Sequence, residues 1–396
     1  MKSEWKTYKV SDLGKVVTGK TPKTANTEYY GGSIPFLTPS DDMSVKYAFS
    51  TTKTITEAGK ESVKNSVIPK NSICVSCIGS DLGKVVVTTK ETVTNQQINS
   101  VIVNTELFDV DFVYYAMVIL GKILNYHSKT STAVPIVNKS TFSQYKVLCP
   151  ELAEQKRIAK ILSEIDDKIA INTAINENLE QQAQAYFIDL FVTNANPAWK
   201  IGTISDLGNV VGGGTPSKNV VEYYTNNGIA WITPKDLSND KSKFLAHGKT
   251  DITELGLAKS SATLMPKGTV LFSSRAPIGY IAIADAQVST NQGFKSIVPF
   301  ENVGTAFIYY FLKENLSAIE NVASGSTFKE VSGSTMKNFG AVIPDNDTLA
   351  EFQRFCTPLF EQQRALEYEC CYLAELRDTL MPKLMNGEID VSKVKI

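Results

Sequence analysis

Two amide clusters recur in this chain, Asn95-Gln96-Gln97 and Asn291-Gln292, and such side chains can pair with the edge of an adenine. Thr38-Pro39-Ser40-Asp41 and Thr233-Pro234-Lys235-Asp236 also recur, each after an apolar stretch that reads as a strand, which places them in loops. Ser273-Ser274-Arg275-Ala276-Pro277-Ile278-Gly279 sets a lone arginine between two strands, and its fork can grip a phosphate or guanine O6 and N7. Asn, Asp and Ser also stabilise turns, so the atoms common to both copies read first as structure. Discrimination is expected where the copies differ: Ile78 against Arg275, Ser40 against Lys235, and the stretches 43–53 and 238–249. Lys46, Lys241 and Lys243 fall in those stretches, and Ser80, Lys84 and Ser274 complete the set of candidate contacts.

Several catalytic patterns fail on inspection. Gly14 to Thr21 fits G-x-x-x-x-G-K-[ST], but a phosphate cradle needs a helix start after it, and Pro22 with a polar stretch follows instead. The matching segment Gly208 to Thr215 has Gly214 in place of Lys20, so a repeated structural turn is expected. Cys74-Val75-Ser76-Cys77 reads C-x-x-C within an apolar run, with no second pair and with Leu271 and Ser274 as counterparts; core strand cysteines in a reducing compartment are expected. Asn196-Pro197-Ala198-Trp199 only faintly resembles an amino-methyltransferase signature, and no Gly-rich nucleotide loop accompanies it. With only His127 and His247, no His-based metal site or triad is expected, and no nuclease carboxylate cluster is evident.

These clusters recur because most of the chain is written twice. Trp5, Leu13-Gly14 and Thr21-Pro22 reappear as Trp199, Leu207-Gly208 and Thr215-Pro216, each pair 194 residues apart. Glu28-Tyr29-Tyr30, Ile55-Thr56-Glu57, Pro69-Lys70, Tyr114-Tyr115 and Pro150 have partners at Glu222, Ile252, Pro266, Tyr309 and Pro344, with small drifts suited to loop insertions. A period of that size is a whole domain, not a solenoid unit.

The chain has 396 residues, 43% hydrophobic and 20% charged, the balance of an ordinary globular protein of two or more domains. It has no run of 18 apolar residues and no apolar leader at its start, so a soluble, cytoplasmic protein is expected. The net charge of −1 conceals a division. Residues 1–150 hold 17 Lys against 12 Asp and Glu, and residues 199–344 hold 12 Lys and one Arg against 11. The segments 151–198 and 345–396 are acidic, so a polyanion would prefer the repeated blocks.

Each repeated block reads as mixed α/β, with short β-branched runs bounded by Gly, Pro and Asn. After Pro150 the pattern changes to a helix over 151–192 in which Ile158, Ile165, Asn172 and Leu179 share a heptad position. Ile161 and Ile175 are assigned to the second seam position, with Leu162 and Ile169 flanking it and widening the apolar stripe, and a polar Asn172 in a seam costs stability but fixes register. A linker at 193–198 ends it. Residues 345–396 repeat the design with Phe352, Leu359, Leu366, Leu373 and Leu380, with Phe355 and Leu376 on the second seam, and Pro358 is expected to kink or delay this helix. The expected fold is α+β: two similar domains, 1–150 and 199–344, separated by two long antiparallel helices that form a coiled-coil spacer.

With these residues in place, the chain resembles the specificity subunit of type I restriction–modification enzymes along its whole length. The openings at Trp5 and Trp199 are similar to the starts of that family's two target-recognition domains. Leu152-Ala153-Glu154-Gln155-Lys156-Arg157-Ile158 and the diverged Leu349-Ala350-Glu351-Phe352-Gln353-Arg354-Phe355 resemble its helical conserved regions, and Leu376-Arg377-Asp378-Thr379-Leu380-Met381-Pro382 to Ile389 resembles its C-terminal ending.

The resemblance implies a prokaryotic, non-catalytic DNA-binding subunit in which each domain reads half of a bipartite duplex site and the helices set the unread spacing. It implies two modification subunits carrying S-adenosylmethionine for adenine N6 methylation of a flipped base, and restriction subunits using ATP and Mg for translocation and cleavage. No cofactor or metal is then expected on this chain. A type IIB-like system, with cleavage fused to the methylating partner, is the alternative; a P-loop hydrolase and a DNA-free scaffold are further readings.

Overall fold

The computed structural model describes residues 5–48, 50–79, 81–129, 136–325 and 329–394. Among the described residues, the first repeat contributes eleven strands: β1 (Lys6–Lys9), β2 (Gly14–Thr18), β3 (Tyr30–Leu37), β4 (Tyr47–Ala48), β5 (Lys53–Ile55), β6 (Val67–Ile68), β7 (Ser72–Ser76), β8 (Val85–Thr88), β9 (Thr92–Thr94), β10 (Ile98–Val103) and β11 (Lys146–Cys149). Five form a sheet in the order β2-β10-β7-β8-β4, four form a second in the order β5-β3-β9-β6, and β1 pairs with β11. Helix α1 (Val110–Lys129) covers the larger sheet.

The β-branched runs of this sheet follow from burial on both faces. Ile73, Val75, Val85, Val87 and Val101 point toward α1, while their neighbours Cys74, Val86 and Ile102 point into a second core shared with Leu37 and Ile68. Alternate residues therefore fill different layers, and the strands are apolar throughout rather than alternating. Cys74 is one of these core residues, and burial pushes its thiol up to about 12.

The second repeat builds the same larger sheet and the same terminal strand pair. Its strands are β12 (Lys200–Thr203), β13 (Gly208–Gly212), β14 (Tyr224–Thr225), β15 (Ile229–Ile232), β16 (Phe244–Leu245), β17 (Thr250–Ile252), β18 (Val270–Ser274), β19 (Ile278–Ala284), β20 (Ser289–Thr290), β21 (Lys295–Pro299) and β22 (Gly340–Ile343). The larger sheet runs β13-β21-β18-β19-β16, position for position the order of the first repeat, and β12 pairs with β22 as β1 does with β11. The smaller sheet runs β14-β17-β15-β20.

Two long helices join the repeats, α2 (Leu152–Ile188) and α4 (Asn346–Met385); the shorter α3 (Thr305–Glu314) is the counterpart of α1. The chain forms two compact units, Met1–Ala170 with Cys371–Ile396, and Ile171–Cys370, so the division passes through both long helices rather than at Pro150 and Pro344. The physical reason is that each unit's core takes in a stretch of each helix. The first buries Ile158 and Leu162 of α2 with Met381 and Leu384 of α4. The second buries Ala183 and Phe187 with Leu349, Phe352 and Cys356. Within each unit the two helices run antiparallel.

Ile158, Asn172, Leu179 and Phe352 are buried along the seam, and Ile165, Leu359, Leu366, Leu373 and Leu380 are half-buried. The second seam differs from expectation. Ile175 and Phe355 are both 38% exposed. The inward positions are Leu162, Ile169, Asn176 and Ala183 on α2 and Cys356, Gln363, Cys370, Arg377 and Leu384 on α4, so the flanking Leu162 and Ile169 mark the seam while Ile161 packs beside it. Polar inward residues hid this register: Asn172 Nδ2 donates to Glu369 Oε2 at 2.8 Å, and Gln363 Nε2 donates to the Asn176 carbonyl at 3.2 Å.

Pro358 does not delay or end its helix, which is continuous from Asn346. The carbonyl it deprives belongs to Arg354, and both residues are exposed, where water can bond that oxygen. Asp345 starts the helix by accepting from the Thr348 amide at 2.9 Å, and its other oxygen accepts from Trp199 Nε1 at 2.7 Å. Trp199 thus pins a helix start.

Candidate nucleic-acid interface

The recurring polar clusters sort into atoms that build turns and atoms that the turns present. Asp236 accepts from the Thr233 amide at 2.8 Å and from its hydroxyl at 2.6 Å, and its second oxygen accepts from the Lys249 amide at 3.0 Å. Asp41 does the same for Thr38, at 2.7 and 3.0 Å, and for Thr52 at 2.7 Å. Burial pushes Asp41 up, but the bonds from Thr52 and Thr38 outweigh it and hold the carboxyl below its ordinary range. Both carboxylates cap the loop and leave the tips, Ser40 and Lys235, exposed.

The amide clusters divide likewise. Asn95 Oδ1 accepts from the Gln97 amide at 3.0 Å and Asn291 Oδ1 from the Gly293 amide at 2.9 Å, both Asx turns. The next residues are exposed. Gln96 Oε1 accepts from the Thr21 hydroxyl at 2.7 Å, and Gln292 Oε1 accepts from Thr215 in the same way. Each pair leaves the glutamine amide nitrogen as a donor at the surface. Gly19 and Gly213 make this possible, since a Cβ at either would collide with the backbone oxygen of Asn95 or Asn291. The glycines that satisfied the P-loop pattern serve close approach of two backbones.

In the second unit these pieces converge on an open cleft of about 440 Å³. Thr233, Lys235, Arg275, Asn291 and Gln292 line it together with Thr215, Lys218 and Trp231, and among the described residues no carboxylate lies on its wall. Arg275 follows the fully buried Ser274, whose hydroxyl and amide both donate to the Gly293 carbonyl, so Ser274 is a fastening rather than a contact. Arg275 Nη1 lies 3.5 Å from Glu330 Oε2, and Lys295 Nζ lies 3.4 Å from Glu330 Oε1. Sequence reasoning missed Lys218, Lys295 and Glu330, because only folding brings segments so far apart in the chain to one loop. The corresponding residues of the first unit, Thr24, Ser40 and Ile78, carry no charge.

Two candidate contacts are displaced by the structure. Lys46 and Lys243 are buried with their ammonium groups turned inward. Lys46 pairs with Asp111 at 2.9 Å and donates to Ser163 Oγ of α2 at 2.8 Å. Lys243 pairs with Glu180 of α2 at 2.7 Å and donates to Gln363 of α4 at 2.9 Å. The recurring tyrosines complete both clusters: Tyr115 donates to Asp166 at 2.6 Å and Tyr310 to Glu180 at 2.9 Å. These lysines hold domain to helix, and a buried, paired ammonium cannot reach a phosphate. Lys84 pairs with Asp81 at 2.7 Å at the surface, Lys241 is exposed, and Ser80 lies outside the described residues.

This architecture, a duplicated sheet domain with a polar turn cluster on each copy and two long helices, defines a class. The family model described as "Type I restriction modification DNA specificity domain" matches residues 2–181 and again 196–363. The chain belongs to the family of type I restriction–modification specificity subunits and carries two target-recognition domains.

Among relatives, the HindI specificity subunit of Haemophilus influenzae is 23% identical over 98% of this chain and 100% of its own length. The MjaIX specificity subunit of Methanocaldococcus jannaschii is 40% identical over 41% of this chain, a match spanning 37% of that protein. The Escherichia coli EcoR124I/EcoR124II specificity subunit is 28% identical over 63% of this chain and 59% of its own. The crystal structure of a type I S subunit from M. genitalium shares the fold, with a TM-score of 0.61, 16% identity, and coverage of 97% of this chain and 96% of that one. No helix among the described residues is long and apolar enough to cross a membrane.

Proposed function

We propose that this chain is the non-catalytic DNA-reading subunit of a restriction–modification complex. Each recognition domain reads one half of a bipartite duplex site, and α2 with α4 sets the number of unread base pairs between the halves. Two modification subunits bring S-adenosylmethionine for adenine N6 methylation, and restriction subunits bring ATP and Mg, so this chain holds no cofactor of its own. The three relatives described above are each named as a type I restriction enzyme specificity subunit, which favours that organisation over the type IIB-like one.

The observation that carries the reading is the cleft of the second unit, where Lys218, Lys235 and Arg275 line one wall with Gln292, and the single described carboxylate paired with them, Glu330, is outnumbered. Cations attract the phosphate backbone without sequence preference, while an arginine fork and an amide read base edges. The first unit has Thr24, Ser40 and Ile78 in the places of these three cations and carries Lys20 and Lys23 on the same loop instead, which gives the two domains different chemistry for different half-sites.

Exchanging residues 1–150 for the domain of another specificity subunit tests this. Mapping methylated adenines in cells that also express the modification subunits is expected to show one half-site changed and the other retained. A map in which both halves change, or neither, contradicts the proposal.

A further inference from the structure

The two units make the same backbone contact beside the recognition turn but seat different side chains on it. In the first, Cys77 O accepts from the Val137 amide at 2.9 Å, and Ile78 bridges Ile136. In the second, Ser274 O accepts from the Val331 amide at 3.0 Å, and the residues in the places of Ile78 and Ile136 are Arg275 and Glu330. Asn99, close by in the first unit, has Lys295 as its counterpart. One copy has an apolar pair where the other has an ion pair beside the shared backbone contact, and in the latter the Glu330 backbone bridges Ser324 instead of Arg275.

Neither pair is explained by folding alone. Ile136 is 64% exposed, an apolar group left in water. The Arg275 and Glu330 side chains are each 37% exposed and meet at only 3.5 Å, a geometry that contributes little to stability. Guanidinium carries five N–H donors, and a single contact to Glu330 leaves enough of them for a bidentate bond. Glu330 sits between two cations, so the cluster keeps a net positive charge. Its carboxylate repels a fully charged phosphate approaching Arg275 more strongly than the neutral acceptor edge of a guanine, which biases the arginine toward base reading.

We propose that this facing pair sets one base of each half-site: Arg275, positioned by Glu330, donates to guanine O6 and N7, and Ile78 with Ile136 packs on a thymine methyl. The inference rests on the DNA-reading function proposed above. Glu330 acts through Arg275 and is a positioning residue.

The test is selection of a random duplex DNA library by the full chain in complex with its modification subunits. Arg275→Ala and Glu330→Ala are each expected to lose preference for one guanine in the second half-site by roughly ten- to a hundredfold, with the first half-site unchanged. Glu330→Gln is expected to raise affinity for unrelated duplex and to steepen its salt dependence, because the arginine then engages phosphate. Ile78→Arg combined with Ile136→Glu is expected to introduce a guanine into the first half-site.

Selection of the wild-type motif by Arg275→Ala and Glu330→Ala overturns the inference, as does a wild-type second half-site without guanine. If the alanine variants do not fold, Arg275→Lys is expected to lose the same guanine preference and Glu330→Gln to show the raised affinity for unrelated duplex, and wild-type behaviour of both overturns the inference. A wild-type complex that selects no motif at all overturns the DNA-reading function itself, which distinguishes the two failures.

Discussion

Lys243 and Glu180 meet at 2.7 Å in the second unit, and the lysine ammonium also lies 3.7 Å from the centre of the Phe360 ring. Lys313 and the Tyr310 hydroxyl bond the same carboxylate. A cation drawn out of water is held here by an anion on one side and an aromatic face on the other. The first unit solves the same task with Lys46, Asp111, Asp166 and Tyr115, which makes the cluster a repeated joint between recognition domain and long helix.

Removing one partner of that joint leaves the other charge buried and alone. Glu180→Ala is expected to destabilise the second unit by about 3–5 kcal/mol, and Lys243→Met combined with Glu180→Leu by clearly less. Urea denaturation of the three proteins checks the ranking; equal losses would show that the pair does not act as a pair.

Burial pushes the Glu180 carboxyl up, but Lys243 and Lys313 outweigh it and bring it down to about 2, below the ordinary value of 4.5. A carboxylate lowered in the folded state contributes stability that is fully present above about 4.5 and is lost as the pH falls toward about 2. The midpoint of thermal unfolding is therefore expected to fall more steeply between those pH values in the wild type than in Glu180→Gln.

Lysines that looked alike in sequence are expected to separate in solution. Lys235→Ala should weaken DNA binding across all sequences and reduce the salt slope by about one, with stability unchanged. Lys243→Met should cost stability and leave the slope alone. Binding isotherms at several salt concentrations, beside a thermal melt, distinguish the two.

Asn291 and Gln292 are neighbours with opposite expectations. Asn291→Ala removes the acceptor for the Gly293 amide and should destabilise by about 1 kcal/mol. Gln292→Ala should leave stability within about 0.5 kcal/mol and relax the second half-site. A stability loss confined to the glutamine variant would reverse these roles.

A deletion of seven residues from 171–177 of α2, matched by seven from 366–372 of α4, keeps the heptad phase. The methylated site is expected to show a shorter unread spacing or no methylation. Unaltered spacing would contradict a measuring role for the helices.

Much of the architecture was legible because it was written twice. Comparing the copies dismissed the P-loop, since Gly214 stands at the Lys20 position, and pointed to Ile78 and Arg275 as a difference of consequence. The first heptad seam was legible because apolar residues mark it. The second was not, because Asn176, Gln363 and Arg377 turn inward there, and a polar residue in a seam looks like a solvated one in sequence.

The sequence by itself determined the duplication, the strand runs and the long helices, all of which follow from local periodicity and composition. Only the tertiary structure decided which of two equally charged lysines, Lys235 or Lys243, faces solvent and which faces Glu180. It alone brought Glu330 to Arg275 across 55 residues of chain. Burial and long-range pairing depend on how elements pack, and neither leaves a periodic mark on the residues that take part.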